Sequence, residues 1–117
     1  MPELDGVWEC ESATINGRKL DESVTASLQL TLNGTQYKTQ CGDEVLFDST
    51  YTVDPSQTPP HINMVGIGEL AGKIGQGIYE LTDDRLTLCY TMPGDDRPQA
   101  FESKEGSNAQ LMVWRRQ

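Results

Sequence analysis

Four tyrosines and one arginine are the side chains of this sequence best suited to contact a ligand. The tyrosines lie in runs of alternating polarity, which predicts inward-pointing rings: Tyr37, Tyr51, Tyr79 and Tyr90. Their apolar bodies and polar tips suit the lining of a small-molecule pocket. Arg97 follows two aspartates in a loop and can meet an anionic ligand. In the alternative interpretation the tyrosines fill the core and Arg97 hydrogen-bonds loop carbonyl groups.

Patterns for catalysis or metal binding are weaker. His61 is the single histidine, and no second histidine or cysteine stands at the spacing of metal ligands. Adjacent acids occur at 43–44, 83–84 and 95–96, where turn propensity and solubility explain them. The sequence therefore predicts no catalytic residue, no metal and no cofactor. A hydrolase that uses acids at the mouth of the fold ranks third among the interpretations.

Composition limits the partners. The chain has 117 residues and a net charge of −9, with 36 % apolar and 23 % charged residues, which is typical of one soluble globular domain over 1–117. Its nine Lys and Arg are scattered, which argues against nucleic acid and anionic membranes as partners. No apolar run reaches the roughly 20 residues of a membrane span. We expect a monomer or a weak dimer.

The cysteines indicate a reducing location. Cys10, Cys41 and Cys89 are far apart and form no Cys-x-x-Cys pair. An odd count with this spacing argues against a disulfide framework. The first five residues carry neither the basic nor the apolar part of a signal peptide. The cytoplasm is therefore the expected location.

Apolar periodicity predicts an all-β fold. Alternating segments predict strands at 7–13, 28–32, 36–41, 45–53, 61–65, 77–81, 86–91, 99–102 and 110–115. A short helical turn is predicted at 21–26, with Asp21 as its cap. Asn33-Gly34 predicts a type I′ hairpin turn, and a proline-rich break and a glycine-rich connection follow at 54–60 and 66–75. About nine short strands with tight connections predict a small antiparallel meander barrel.

Two features resemble known β-barrel families. Gly6-Val7-Trp8 resembles the Gly-x-Trp that opens lipocalin and related calycin barrels. The order of later motifs is similar to that of the lipocalin-like planctomycetal conserved domain, a group of bacterial proteins without an assigned activity: Tyr51-x-Val53-Asp54-Pro55, Pro60-His61-Ile62-Asn63, Gly77-Ile78-Tyr79-Glu80-Leu81, Leu86-x-Leu88-Cys89, Pro93-Gly94, Arg97-Pro98-x-x-Phe101 and Val113-Trp114-Arg115. The resemblance runs from Gly6 to Arg116. It implies a lipocalin-like barrel of eight or nine strands and ligand binding, but no reaction. Asn63 departs from the family, which has an aspartate there.

The resemblance also implies a contact at one end of the barrel. In lipocalins a late arginine covers the tryptophan of Gly-x-Trp. Arg115 lies on the last strand, which must neighbour the first strand in a closed meander, so we expect it to stack on Trp8, with Arg97 as the alternative. The expected structural signature is therefore Gly6, Trp8 and Arg115.

These interpretations lead to one functional expectation and one alternative. The expected inward set is Trp8, Leu28, Leu30, Leu32, Phe47, Tyr51, Val53, Ile62, Tyr79, Leu88 and Val113. The leading expectation is a non-catalytic binding module that takes a small apolar ligand or a peptide at the barrel mouth. The alternative is an interaction domain with a filled barrel and no small-molecule ligand. An empty interior lined by tyrosines favours binding, and a packed interior favours the interaction domain.

Overall fold

A computed structural model describes residues 4–66, 74–91, 95–107 and 109–117. The described residues form these elements: β1 (Gly6–Ile15), β2 (Arg18–Lys19), α1 (Glu22–Thr25), β3 (Leu28–Asn33), β4 (Gln36–Cys41), β5 (Glu44–Asp54), β6 (His61–Gly66), β7 (Ile74–Thr82), β8 (Arg85–Tyr90) and β9 (Gln110–Arg116). Most of the predicted glycine-rich connection and the Pro93-Gly94 motif lie outside the described residues. No helix among those described is long and apolar enough to cross a membrane.

The strands form one antiparallel sheet that closes on itself. Its order is β1-β3-β4-β5-β6-β7-β8-β9, with β1 also paired to β9 and the two-residue β2 added beside β1. Closure removes the exposed edges that an open sheet would leave. The predicted all-β, lipocalin-like meander barrel is therefore confirmed, with eight strands in the barrel wall.

The two ends of the barrel are built differently. The floor end carries the start of β1, the end of β9 and the β3–β4, β5–β6 and β7–β8 turns. The opposite end, called the helix end here, carries α1 and the other connections. The predicted helical turn is confirmed, and Asp21 stands at its N-cap position as predicted, although the Asp21 side chain makes no capping hydrogen bond.

Two Asn-Gly dipeptides shape hairpins in different ways. Asn16 and Gly17 join β1 to β2 with φ of 54° and 84°, the pattern of a type I′ turn. Asn33 instead pairs with Gln36 inside the ladder, and Gly34 opens the two-residue loop with φ of 61°. Positive φ at the first loop position alone is the pattern of a type II′ turn. The predicted hairpin is confirmed, and its predicted turn type is wrong.

A bulge in β5 breaks the expected alternation. Thr39 pairs with Phe47 and Gln40 with Val45, so Leu46 is an extra residue on β5. A bulge resets which face successive side chains occupy. Val45 and Leu46 are accordingly 49 % and 51 % exposed. The Phe47 side chain, predicted to point inward, lies outside what the structure describes.

One hydrophobic core fills much of the barrel. Its buried members are Leu4, Trp8, Ala13, Leu30, Leu32, Tyr37, Tyr51, Ile62, Met64, Tyr79, Leu86, Leu88, Met112 and Trp114. Leu28 and Val53 pack against them, half-buried. The predicted inward set is confirmed except at Phe47, which is not described, and Val113, which is wrong.

Val113 lies on the outer face of β9. It pairs with Ser12 of β1 and is half-buried, whereas Met112 and Trp114 point inward. Residues 111–114 are four apolar residues in a row, so either register leaves two of them inside. A one-residue slip exchanges the two faces, and alternation alone cannot choose between them.

Residues 95–107 form an irregular outer segment against the barrel wall. Phe101 of this segment packs with a second cluster made of Ile78, Cys89, Leu111 and Ala109. The first three of these are direct neighbours across β7, β8 and β9. The strand predicted at 99–102 is wrong: these residues are irregular and pack on the outside of the barrel wall through Phe101.

Candidate binding site inside the barrel

The floor of the barrel is built around Trp8. This ring is fully buried, and its Nε1 donates a hydrogen bond to the Leu4 carbonyl at 3.1 Å. The guanidinium carbon of Arg116 lies 4.2 Å from the ring centroid, a cation–π contact. Arg116 Nη1 also donates to the Asp5 carbonyl at 2.8 Å, and its Nε lies 3.9 Å from the Asp84 carboxylate.

Arg116 covers Trp8, and the predicted Arg115 and Arg97 do not. Arg116 is directly opposite Trp8 in the β1–β9 ladder and therefore shares its face. Arg115 is exposed on the outer face. The error has the same origin as that at Val113, because the two residues lie on one face of β9 and a one-residue slip moves both.

Gly6 allows the arginine to approach. Its φ is 144°, which L side chains rarely adopt, and a Cβ at this position would lie 2.9 Å from Arg116 Nη1. The predicted glycine and tryptophan of the signature therefore have physical roles at the floor, with Arg116 in the place predicted for Arg115.

All four tyrosines face the barrel interior, as predicted. Tyr37, Tyr51 and Tyr79 are 2–5 % exposed, and Tyr90 is half-buried. The rings of Tyr37 and Tyr51 meet edge to face with centroids 6.3 Å apart. The Tyr90 hydroxyl donates to Gln110 Oε1 at 2.9 Å. Burial raises the pKa of Tyr90 to about 12 and the pKa of Tyr37 well above its ordinary value, so both phenols are neutral.

Inner-wall side chains differ in exposure. Leu30, Leu32, Leu86 and Leu88 are at most 1 % exposed, whereas Leu81 and Val53 near the floor are half-buried. Five inner positions towards the helix end are also half-buried, and we call this set the cup: Cys10, Leu28, Cys41, Tyr90 and Gln110. Cys41 lies opposite Leu28 and Gln110 opposite Tyr90, so each pair shares the inner face. Ala13 and Met64, which also lie towards the helix end, are buried, so the cup is a set of half-buried positions beside enclosed ones.

Cys10 of the cup is not placed to act as a nucleophile. Burial raises the pKa of the Cys10 thiol to about 11, and its Sγ lies 3.4 Å from the Ser12 carbonyl oxygen. Only the thiolate attacks, and at neutral pH this thiol is protonated. Cys10, Cys41 and Cys89 are all free thiols.

Two buried polar atoms of the inner wall have no hydrogen-bond partner among the described residues: Ser49 Oγ and Trp114 Nε1. Each residue is only 1 % exposed. Ser49 lies opposite Tyr37, and Trp114 lies opposite the cup residue Cys10. Three strands separate β5 from β9 in either direction around the barrel, so the two side chains project from opposite walls. A buried donor or acceptor without a partner costs about 1–3 kcal/mol.

The inner wall presents little charge. Of the inward-pointing residues that the structure describes, only Arg116 is charged, and Trp8 and the Asp5 carbonyl hold it at the floor. The remainder are apolar groups, phenols, hydroxyls, thiols and the Gln110 amide. Moving an ion from water into such surroundings costs several kcal/mol unless it is paired. The interior therefore favours neutral molecules.

Arg97 lies outside the barrel. Its Nη1 donates to the carbonyls of Ile62 and Gly77 at 3.0 and 2.7 Å, and its Nη2 donates to Asn63 Oδ1 at 2.6 Å. Asn63 is on the outer face, because Ile62 beside it points inward. Partial burial lowers the pKa of Arg97. These contacts are of the structural kind given as the alternative, with strand carbonyls in place of loop carbonyls as acceptors. The ligand contact of Arg97 stays a prediction.

The acidic pair of the β7–β8 turn lies apart from the interior. A surface hollow of about 230 Å³ opens there at the floor end, lined by Thr82, Asp83, Asp84, Arg85 and Arg115. Arg85 is already held by Glu11 through hydrogen bonds of 2.8 and 3.0 Å. Within the described ranges, no group of three or more His, Cys, Asp or Glu is placed to hold a metal ion.

Sequence reasoning missed Ser49, Trp114 and Arg116. Strand alternation was sufficient to predict that Ser49 points inward, because Ser49 stands two residues before the inward-pointing Tyr51. The other two required the register of β9, which the apolar run at 111–114 leaves open.

Fold and site together define a class of protein: a closed, lipocalin-like meander barrel with a packed core and a half-buried cup. No model of a known protein family matches the chain, and no curated protein or solved structure matches it either. The resemblance to the planctomycetal conserved domain stays a prediction.

Proposed function

We propose that this protein is a non-catalytic binding module that takes one small molecule in the cup. The observation that carries the proposal is the half-buried state of the five inner residues of the cup. They present apolar, thiol, phenolic and amide groups that are not fully enclosed by the core. Concave apolar walls with a few polar tips are the usual character of a small-molecule site.

The alternative function is an interaction domain with a filled barrel. Its support is the bulk of the buried side chains, with Trp8, Trp114 and Tyr37 among the largest that are fully enclosed. An eight-strand barrel is only just wide enough for its own side chains or one small ligand. In this case the outer surface would meet the partner.

We also propose a reducing location, the cytoplasm, and a kinship with the planctomycetal conserved domain. The free state of Cys10, Cys41 and Cys89 supports the location. The order of motifs from Gly6 to Arg116 supports the kinship.

Titration with the neutral fluorescent probe N-phenyl-1-naphthylamine tests the binding function. We expect saturable binding of one probe per chain, with an increase in probe emission. Leu28→Trp places an indole in the cup and should abolish binding. Gln29→Trp is the matched control, because Gln29 is the next residue on β3 and lies on the other face.

Two results decide between the functions. Loss of binding in Leu28→Trp alone supports a site in the cup. No saturable binding by the wild type, together with native mass spectra of freshly purified protein that show only the bare chain mass, supports the filled-barrel alternative. Equal binding by wild type and both variants contradicts a site in the cup.

A further inference from the structure

We propose that the ligand is a neutral molecule with an apolar body and a hydrogen-bond acceptor, and that Trp114 Nε1 recognises this acceptor. The inference rests on the proposed binding function, because it concerns the same interior. Trp114 lies directly opposite Cys10, so its indole borders the cup.

The two tryptophans of the barrel differ in one respect. Trp8 Nε1 donates to the Leu4 carbonyl at 3.1 Å. Trp114 is equally buried, yet its Nε1 has no partner among the described residues. An indole N–H can only donate, so the missing partner must be an acceptor. A carbonyl, ether or heterocyclic nitrogen of a bound molecule supplies one.

Ser49 carries a second buried polar atom that has no partner among the described residues. It lies on the opposite wall, across from the buried Tyr37 and outside the cup, so it places no requirement on the ligand. An ionised ligand is excluded by the cost of its desolvation, because apart from Arg116 at the floor the described inner wall offers no charged partner.

Three naphthalenes of nearly equal shape separate these requirements. 2-Acetylnaphthalene carries a neutral acceptor, 2-ethylnaphthalene carries none, and 2-naphthoate carries a negative charge at neutral pH. We expect the ketone to bind about fivefold or more tightly than the hydrocarbon, as one net hydrogen bond provides. The carboxylate should bind at least about tenfold more weakly than the ketone.

The indole N–H signals in ¹H–¹⁵N NMR spectra provide the readout, and the wild type contains its own control. The ketone should shift the Trp114 Nε1–H signal downfield and leave the Trp8 signal in place, since Trp8 already has a partner. Trp114→Phe identifies the two signals and should remove the preference for ketone over hydrocarbon. The wild-type comparison stands on its own if this variant does not fold.

Each outcome supports or overturns a defined statement. Equal affinity for ketone and hydrocarbon, or an unmoved Trp114 signal in the ketone complex, overturns the acceptor role while the binding function stands. Tighter binding of 2-naphthoate overturns the neutral ligand class. Failure of the three naphthalenes and of the fluorescent probe to bind overturns both the inference and the binding function.

Discussion

Arg116 and Gly6 show how single residues determine the floor of the barrel. The guanidinium stacks on Trp8, donates to the Asp5 carbonyl and lies near Asp84. Its neighbour Arg115 has the same charge but is exposed on the outer face of β9. Two arginines at adjacent positions therefore make different contacts, because they lie on opposite faces of β9.

Replacing Arg116 with methionine should destabilise the fold. The variant keeps an apolar stem over Trp8 but loses the cation–π contact and the hydrogen bond to Asp5. We expect a decrease in the free energy of unfolding of about 1–3 kcal/mol, measured by urea denaturation with far-UV circular dichroism. Arg115→Met is the control and should change stability by less than about 0.5 kcal/mol. An equal effect of both variants would contradict the assignment of Arg116.

Gly6→Ala should also destabilise the fold. The new methyl group meets Arg116 Nη1 and demands an unfavourable φ, at a cost of about 1–3 kcal/mol. Gly34→Ala is the matched control, because Gly34 also has positive φ but has nothing within 4 Å of its added Cβ. The Gly6 variant should therefore lower the urea midpoint more than the Gly34 variant. The reverse order would contradict the close approach at the floor.

The outer segment is the element whose role the structure clarifies most. Residues 95–107 make no strand, yet they cover the apolar outer face of β7, β8 and β9 through Phe101. Arg97 fastens one side of the segment to β6 and β7. Ser103 Oγ accepts from Gly17 N at 3.0 Å on the other side, next to the β1–β2 turn.

Loss of the Arg97 contacts should open the outer segment locally. Cys89 reports on this, because it is fully buried beneath the segment with its Sγ 3.4 Å from the Glu102 carbonyl oxygen. We expect Arg97→Met to raise the rate of Cys89 alkylation by iodoacetamide about fivefold or more at constant pH. Cys10, inside the barrel, should keep its rate. An unchanged Cys89 rate would show that Arg97 does not hold the segment.

At the scale of the whole molecule, closure of the barrel forms the floor and the cup and buries two polar atoms, Ser49 Oγ and Trp114 Nε1. The pairing of β1 with β9 places Trp8 beside Arg116 and Trp114 beside Cys10. It also encloses Tyr37, so that its phenol is removed from water. The properties of the interior therefore belong to the closed barrel and not to any one strand.

Stability should fall in alkaline solution because two partly buried acids, the Cys10 thiol and the Tyr90 phenol, hold their protons in the fold. Burial raises the pKa of Cys10 from 9.0 to about 11 and that of Tyr90 from 10.0 to about 12. Above pH 9 the unfolded chain loses these protons first, so their contribution is complete below pH 9 and is lost as pH rises towards 12. Allowing for partial exposure, we expect the free energy of unfolding to drop by about 1 kcal/mol between pH 8 and pH 10.

Urea denaturation from pH 8 to about pH 11 measures the decrease. Tyr90→Phe lacks one of the acids and should have a shallower slope above pH 10. A flat profile in the wild type would contradict the enclosure of these groups.

Much of the fold could be predicted because strand alternation is a local property. Leu28, Leu30 and Leu32 mark one face of β3 without reference to any other strand, and the four tyrosines were placed inward in the same way. Prediction failed where the alternation was broken or ambiguous. The bulge at Leu46 broke it, and the apolar run at 111–114 left it ambiguous.

The sequence by itself determined an antiparallel all-β chain with an inward tyrosine set and the hairpin between β3 and β4. Only the tertiary structure decided that Arg116 covers Trp8, that Arg97 holds the outside of the wall, and that Trp114 and Ser49 are buried without partners among the described residues. The physical reason is that side-chain alternation has a period of two and is encoded locally. The partner that each face meets depends on how β9 registers against β1 when the barrel closes.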